Sequence, residues 1–401
     1  MKVYFWDLLP YGRHFEEFKA GRYIPHPLPR QHFDPEVAAR TYAEHLACWA
    51  ELDKWGFDGV GLNEHHTTPH GLITGPNLIA AAASQVTKKL KFLVLGNLLP
   101  IHNPLRIAED IAVADCLSQG RMLPGFARGN PREYRAYNIP AQESRGRFEE
   151  AFDVILKAWT EEVFSYAGRY YQYNDVAIWP RPYQQPTPPL WVPFTGSKET
   201  IEWAAKHNLS AVIPGFHRGL TEDMVGYFAG AIARNGRRIS PDQLIFFTES
   251  YVAASKEEAL REYGPYHLYF TQVLWHHGNI GPLGSAPVAA NAPVTSTSYD
   301  YIRPENRPFA DMDREKIRLG NLPDLEKRVM SGALAWGSPK EVAEHLIAGA
   351  EHAGANAVLL NTCNGVVPHE LMMEQIRRFG RDVLPLLHAH EVKRVPAAAM
   401  A

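Results

Sequence analysis

Cysteine is scarce: Cys48, Cys116 and Cys363 are the three in 401 residues. An odd, scattered trio offers neither a disulfide framework nor a thiolate metal site, and it suits a reducing, cytoplasmic setting. Long apolar runs are missing too. None approaches the roughly 20 residues that a membrane span needs, and Asp7 interrupts the apolar N-terminal stretch too early for a secretory signal. Charge of one sign is also lacking. A formal net charge of -3 gives no broad electrostatic surface for nucleic acid. No Walker loop, no Ser-His-Asp order and no Gly-x-Gly-x-x-Gly after the first apolar stretch occurs.

What the sequence does have is a rhythm. Apolar stretches at 3–6, 59–62, 91–95, 122–126, 190–194, 211–214, 244–253 and 355–361 read as strands. Helical signals lie between them. Asp34, Asn103 and Ser338 each precede a proline, a pairing that caps the free N–H groups and suits the first turn. Gly75-Pro76 precedes an alanine-rich helix. Tyr42, Leu46, Trp49 and Leu52 recur at helical spacing, and Gly56 stops that helix. Eight strand–helix alternations predict a parallel sheet. Eight units favour closure into an α/β (β/α)8 TIM barrel over a doubly wound open sheet. A small hairpin excursion at 168–185 interrupts the rhythm. So does an irregular stretch at 264–321, Gly, Pro, Ala, Ser and Thr-rich at 278–298, of a length that marks either a functional lid or disorder. Residues 1–390 read as one domain and 391–401 as a loose tail.

In such a barrel the C-terminal ends of the strands carry the chemistry. The second strand ends abruptly in Asn63, Glu64, His65 and His66. His65 suits proton transfer or anion stabilisation, and a packed, hydrogen-bonded histidine is the competing reading. A metal site of His65, His66 and His70 is a third, weakened because adjacent strand residues point to opposite faces. Gly196, Ser197 and Thr200 open the helix after the fifth strand, where free N–H groups can hold a phosphate or Ser197 can be an ordinary N-cap. Arg128, leaving the fourth strand, reads either as a fork for phosphate oxygens or as a surface arginine. Ser144-Arg145 carries the same two readings. Gly96-Asn97 marks either backbone passing close to a flat ligand or a strand end. Glu149, Glu150, Glu161 and Glu162 read as a solvated helix face, and His276-His277 as a polar loop segment.

Several ordered motifs now add up. They are Leu62-Asn63-Glu64-His65-His66, Asn103-Pro104-Leu105-Arg106 with Glu109-Asp110, Leu117-Ser118-Gln119-Gly120-Arg121, Gly125-Phe126-Ala127-Arg128-Gly129, Glu202-Trp203-Ala204-Ala205 and Trp336-Gly337-Ser338-Pro339. With these, the sequence resembles the bacterial luciferase-like monooxygenases from its first strand to its last. The resemblance implies a TIM barrel that binds reduced FMN, supplied by a separate NAD(P)H:flavin reductase. It implies activation of O2 as a C4a-peroxyflavin to oxygenate a small, largely apolar substrate, in a cytoplasmic homodimer without membrane or nucleic-acid partners. Branches of the family use F420 and transfer hydride, so an F420-dependent dehydrogenase is an alternative, and a non-catalytic flavin-binding protein another.

By motif position, His65 matches the family's catalytic histidine. Arg128, Ser144, Arg145, Gly196, Ser197 and Thr200 match positions around the flavin phosphate. Gly96-Asn97 matches the segment along the flavin ring, where the family often has a non-prolyl cis peptide, and 264–321 matches its lid. Two positions depart. Ala127 stands where the luciferases have a reactive cysteine, and Gly196 at an acidic position, which favours an ordinary oxygenase over light emission. Trp6, Tyr11 and Trp275 suggest a largely apolar pocket, with core packing as the competing reading.

Overall fold

A computed structural model describes residues 1–12, 15–17, 28–215, 218–274 and 322–396. Eight parallel strands form the barrel: β1 (Lys2–Asp7), β2 (Gly59–Leu62), β3 (Lys91–Leu98), β4 (Met122–Ala127), β7 (Trp191–Pro193), β8 (Ser210–Pro214), β9 (Leu244–Val252) and β11 (Ala357–Asn361). They run β11-β1-β2-β3-β4-β7-β8, and β9 pairs with both β8 and β11, which closes the ring. The register sets Phe5 beside Val60 on one side and Leu360 on the other. A separate antiparallel hairpin, β5 (Phe164–Ala167) and β6 (Gln172–Val176), stands outside.

Helices start where short polar residues precede proline. Asp34 accepts the N–H groups of Glu36 and Val37, Asn103 those of Leu105 and Arg106, and Ser338 with Glu341 forms a capping box. These satisfy donors that the helix itself leaves open. Gly56 ends the helix Pro35–Trp55 at a φ of 85°, a left-handed conformation that costs glycine little.

Two apolar layers follow from the strand alternation. Tyr4, Leu93, Leu95, Leu123, Trp191, Val212, Ile245 and Leu359 fill the barrel interior, making a packed core rather than a pore. Trp6 and Phe247 pack against this layer, edge to face with ring centroids 5.5 Å apart. The other strand faces pack against the helices, where Trp49, Trp159, Phe126 and Phe152 are fully buried. Burying a side chain of this class contributes about 1.5–3 kcal/mol.

The N-terminal end of the barrel is fastened by two side chains. Asp53 accepts the backbone N–H groups of Lys88, Lys89 and Leu90. Arg121 donates to the carbonyls of Ser118, Leu90 and Ser84 and to the Thr87 hydroxyl.

Several expectations are corrected. The segment from 264 is not irregular at its start: a helix runs Lys256–Tyr269, through Gly264 and Pro265, and a π-turn continues as Phe270–Leu274. Tyr263 is buried and stacks on Tyr251 at 4.7 Å, so tertiary packing overrides the two breaker residues. The part of the expected lid from 275 to 321, with Trp275, His276 and His277, lies outside the described residues. The strand β10 (Ala335–Gly337) adds to β9 beyond the barrel at Ser250, Tyr251 and Val252. β3 reaches Leu98, so Gly96 and Asn97 lie within a strand, at a register irregularity against β4. The tail is tied down at first: Val392 is buried and its N–H donates to Asn356. Glu150, read as solvated, accepts the N–H groups of Arg169, Tyr170 and Tyr171 and fastens the hairpin turn.

Candidate active site

The end of β2 turns the chain so that consecutive side chains diverge. His65 is held through its own N–H to Ile73, and its Nδ1 lies 3.2 Å from Glu133 Oε1. Its side chain keeps 21% exposure while Glu133 is 2% exposed, an imidazole with one buried side and one open side. The His65 ring also lies 4.8 Å from that of His70. Glu133 comes from a short helix, Pro131–Ala136, which sequence reasoning missed. A signal for it exists, since Asn130 and Glu133 form a capping box with the spacing that marks helix starts.

His66 takes the opposite direction. Its Nε2 is 2.7 Å from Glu64 Oε1, and its Nδ1 is 2.9 Å from the Tyr137 hydroxyl. Glu64 Oε1 is also 2.5 Å from His102 Nε2, and Oε2 accepts the Leu98 N–H. Burial alone would raise the Glu64 carboxyl. The hydrogen bonds from His102 and His66, the charge of His102 and the Leu98 N–H outweigh it and hold the group below its ordinary value. The trio His65, His66 and His70, weighed as metal ligands, is therefore not the one assembled: His66 leaves the other two and joins Glu64 and His102.

On the neighbouring strand tops, a second group gathers. Arg145 donates to Thr200 Oγ1 at 3.5 Å and to the Glu199 carbonyl at 3.0 Å, which joins the helix Ser144–Thr160 to the helix Lys198–Lys206. Burial lowers the Arg145 guanidinium. Glu199 and Glu149 oppose that shift, and the positive charge of Arg128 adds to it. Arg128 and Arg145 are thus electrostatic neighbours. Ser197 caps its helix by accepting the Thr200 N–H, and Gly196 reaches it at a φ of 102°. Ser144 is 1% exposed, yet its hydroxyl has no hydrogen-bond partner. Arg145 has competing carboxylates: Glu149 at 2.7 Å and Glu199 at 3.8 Å. These carboxylates offset the charge of Arg145.

Gly96 and Asn97 separate in role. A Cβ on Gly96 would sit 2.9–3.0 Å from backbone atoms of Phe126, Ala127 and Gly125, so β3 and β4 approach here as only glycine permits. The peptide between Leu95 and Gly96 is cis. Asn97 is buried and turned to structural work, donating to the Gly125 carbonyl and accepting from Asn77.

Residues 27–357 match the family of luciferase-like monooxygenases. The chain spans about half the length of several curated relatives it matches. One is the alkanal monooxygenase beta chain of Photorhabdus laumondii subsp. laumondii, 29% identical over 162 residues, 40% of this chain and 50% of that one. The oxygenase component of the flavin-dependent trigonelline monooxygenase of Acinetobacter baylyi is 24% identical over 273 residues, 64% of this chain and 74% of that one. The fold is shared with the oxygenating constituent of 3,6-diketocamphane monooxygenase from Pseudomonas putida, a type II Baeyer–Villiger enzyme solved with FMN. The TM-score is 0.70 at 20% identity, covering 96% of this chain and 98% of that one. An F420-dependent secondary alcohol dehydrogenase shares it too, with a TM-score of 0.63 at 12% identity over 96% and 98% of the two chains.

Proposed function

The chain belongs to the luciferase-like monooxygenase family, and from that premise we propose that it is the oxygenase component of a two-component system using reduced FMN and O2. The observation that carries this reading is the group at the tops of β4 and β7: Arg145 bonded to Thr200, the buried, unpartnered Ser144 hydroxyl, and Ser197 and Thr200 at a helix start, with the positive charge of Arg128 acting on Arg145. Such donors fit a phosphate monoester. Gly96, whose backbone lies against β4 where a Cβ would clash, fits the close passage of a flat ring system.

Reduced flavin, when bound, supplies the electrons and the activated oxygen. The chain supplies position, shielding and a proton. Arg128 holds the phosphate with the hydroxyls of Ser144, Ser197 and Thr200. Glu133 accepts a hydrogen bond from the Nδ1–H of His65, which leaves Nε2 to hold or pass a proton on the open side. Trp6 and Phe247 offer apolar surface for a small, largely apolar substrate, in a hydroxylation or an oxygen insertion beside a carbonyl.

A separate NAD(P)H:flavin reductase would deliver the cofactor. Homodimerisation would use the adjoining helices Pro76–Val86 and Pro104–Ser118, where Leu78, Val86, Val113 and Leu117 are 42–70% exposed. Apolar side chains of this size on neighbouring helices suit a partner face. No helix among the described residues is long and apolar enough to cross a membrane.

Anaerobic fluorescence titration tests the reading. Reduced FMN should bind far more tightly than NADPH or F420, and adding O2 with a ketone or alkane panel should yield an oxygenated product. Tight F420 binding without FMN binding would move the protein to the hydride-transferring branch. FMN binding with no product from any substrate would leave a flavin carrier.

A further inference from the structure

We propose that Glu64, His66 and His102 form a site for one divalent first-row metal ion, zinc by its donor set. Among the described residues these are the side chains whose ligating atoms converge, all lying within 4.8 Å of one another. Two imidazoles and one carboxylate bind zinc and leave a fourth position for water. His102 lies 38 residues from Glu64 in sequence. The turn that follows β3 carries it back to the mouth of β2.

Glu64 Oε1 now joins both histidines through hydrogen bonds, lying 2.7 Å from His66 Nε2 and 2.5 Å from His102 Nε2. A tetrahedral ion with ligands at 2.0–2.1 Å needs donors about 3.3 Å apart. Each nitrogen must therefore retreat from Oε1 by less than about 1 Å. The site has freedom on one side only: Glu64 and His66 side chains are 1% and 6% exposed, His102 is 25% exposed. His102 thus gives both the movement and the entry path.

The contacts around the donors already suit an ion. Glu64 Oε2 is occupied by the Leu98 N–H, which leaves Oε1 as the ligand. His66 Nδ1 faces the Tyr137 hydroxyl at 2.9 Å. With an ion on Nε2, the ring proton sits on Nδ1 and is donated to the Tyr137 oxygen. Without an ion, Nε2 donates to Glu64 and the phenol donates to Nδ1. One tyrosine serves both tautomers, as outer partners of metal-bound histidines do.

The test uses the full chain, freed of metal by a chelator and titrated with Zn2+ alone by calorimetry, with Co2+ as a spectroscopic probe. Expected are one ion per chain, visible Co2+ absorption of tetrahedral strength, and at least a tenfold loss of affinity in His102→Ala. Tyr137→Phe should weaken binding by about 10-fold or more, the scale of a lost outer partner. His388→Ala should bind as the wild type does, because that imidazole pairs with Asp58 at the other end of β2. Absence of saturable binding, unchanged affinity in His102→Ala, or a loss in His388→Ala would overturn the site. If His102→Ala fails to fold, a wild-type Co2+ spectrum without tetrahedral bands overturns it equally.

Discussion

The Nδ1 atom of His65 stands 3.2 Å from Oε1 of Glu133, and Oε2 of the same carboxylate holds the Asn130 N–H at 2.8 Å. The group that orients the histidine is itself fixed by a helix cap, so the ring has one preferred tautomer and little freedom to turn.

His65→Ala should lower product formation by about 100-fold or more, the scale of one lost acid–base group. FMN affinity should stay within about threefold, since His65 and the phosphate donors lie on different strands. Glu133→Gln keeps a hydrogen-bonding side chain but loses the charge, and should cost about 1–2 kcal/mol in the same step. Single-turnover mixing of reduced enzyme with O2, with product and H2O2 both measured, checks the pair. Wild-type product yield in His65→Ala would return the residue to a packing role.

Arg128→Ala should weaken FMN binding by about 1.5–3 kcal/mol, as a charge-assisted hydrogen bond does. The fold should survive, because the residue leaves the end of β4 rather than filling the core. Calorimetry reports the affinity and thermal unfolding the fold. An unchanged dissociation constant would remove Arg128 from the phosphate site.

Gly96→Ala should destabilise the protein by about 1–3 kcal/mol, the usual penalty for overpacking. The new Cβ meets backbone of β4 at 2.9–3.0 Å, and backbone cannot rotate away as a side chain can. Urea unfolding measures this. A midpoint equal to the wild type would show that β3 and β4 separate more easily than their contact suggests.

Asp7 should make the protein acid-sensitive. Burial would raise its carboxyl. The charge and hydrogen bond of His45, the Leu9 N–H and Trp49 Nε1 together hold it below its ordinary value. A carboxyl whose folded pKa lies below the unfolded one stabilises fully above the unfolded value of about 3.9 and loses that stability as pH falls through the folded value. Asp7→Ala should therefore cost about 3–5 kcal/mol at neutral pH, the penalty for breaking a buried pair. Below about pH 3, the gap between variant and wild type should narrow. Unfolding midpoints across pH decide, and a gap independent of pH would refute the assignment.

Much of the barrel was legible because its signals are local. Asp34, Asn103 and Ser338 before proline place helix starts within a residue, and apolar runs place all eight barrel strands. What was not legible depends on distant contacts. β10 has three residues and exists because β9 offers Ser250–Val252 as a template. Gly264 and Pro265 would break an isolated helix, yet stacking of Tyr263 on Tyr251 keeps it whole. Arg128, Ser144, Arg145, Ser197 and Thr200 were singled out by motif position, and their role at a phosphate remains part of the proposal. Glu133 and His102 were not singled out, since their partners His65 and Glu64 lie 68 and 38 residues away.

The knots tied by Asp53 and Arg121 at the base of the barrel use no residue from the strand tops. Loops at the mouth can lengthen, shorten or be exchanged between relatives while those knots stay tied. Inherited variation in substrate range can then accumulate at one end of the molecule without drawing on the folding of the other. A chimera that keeps the base of this chain and carries the upper loops of a distant relative should refold as a barrel, with its chemistry set by the donor of the loops.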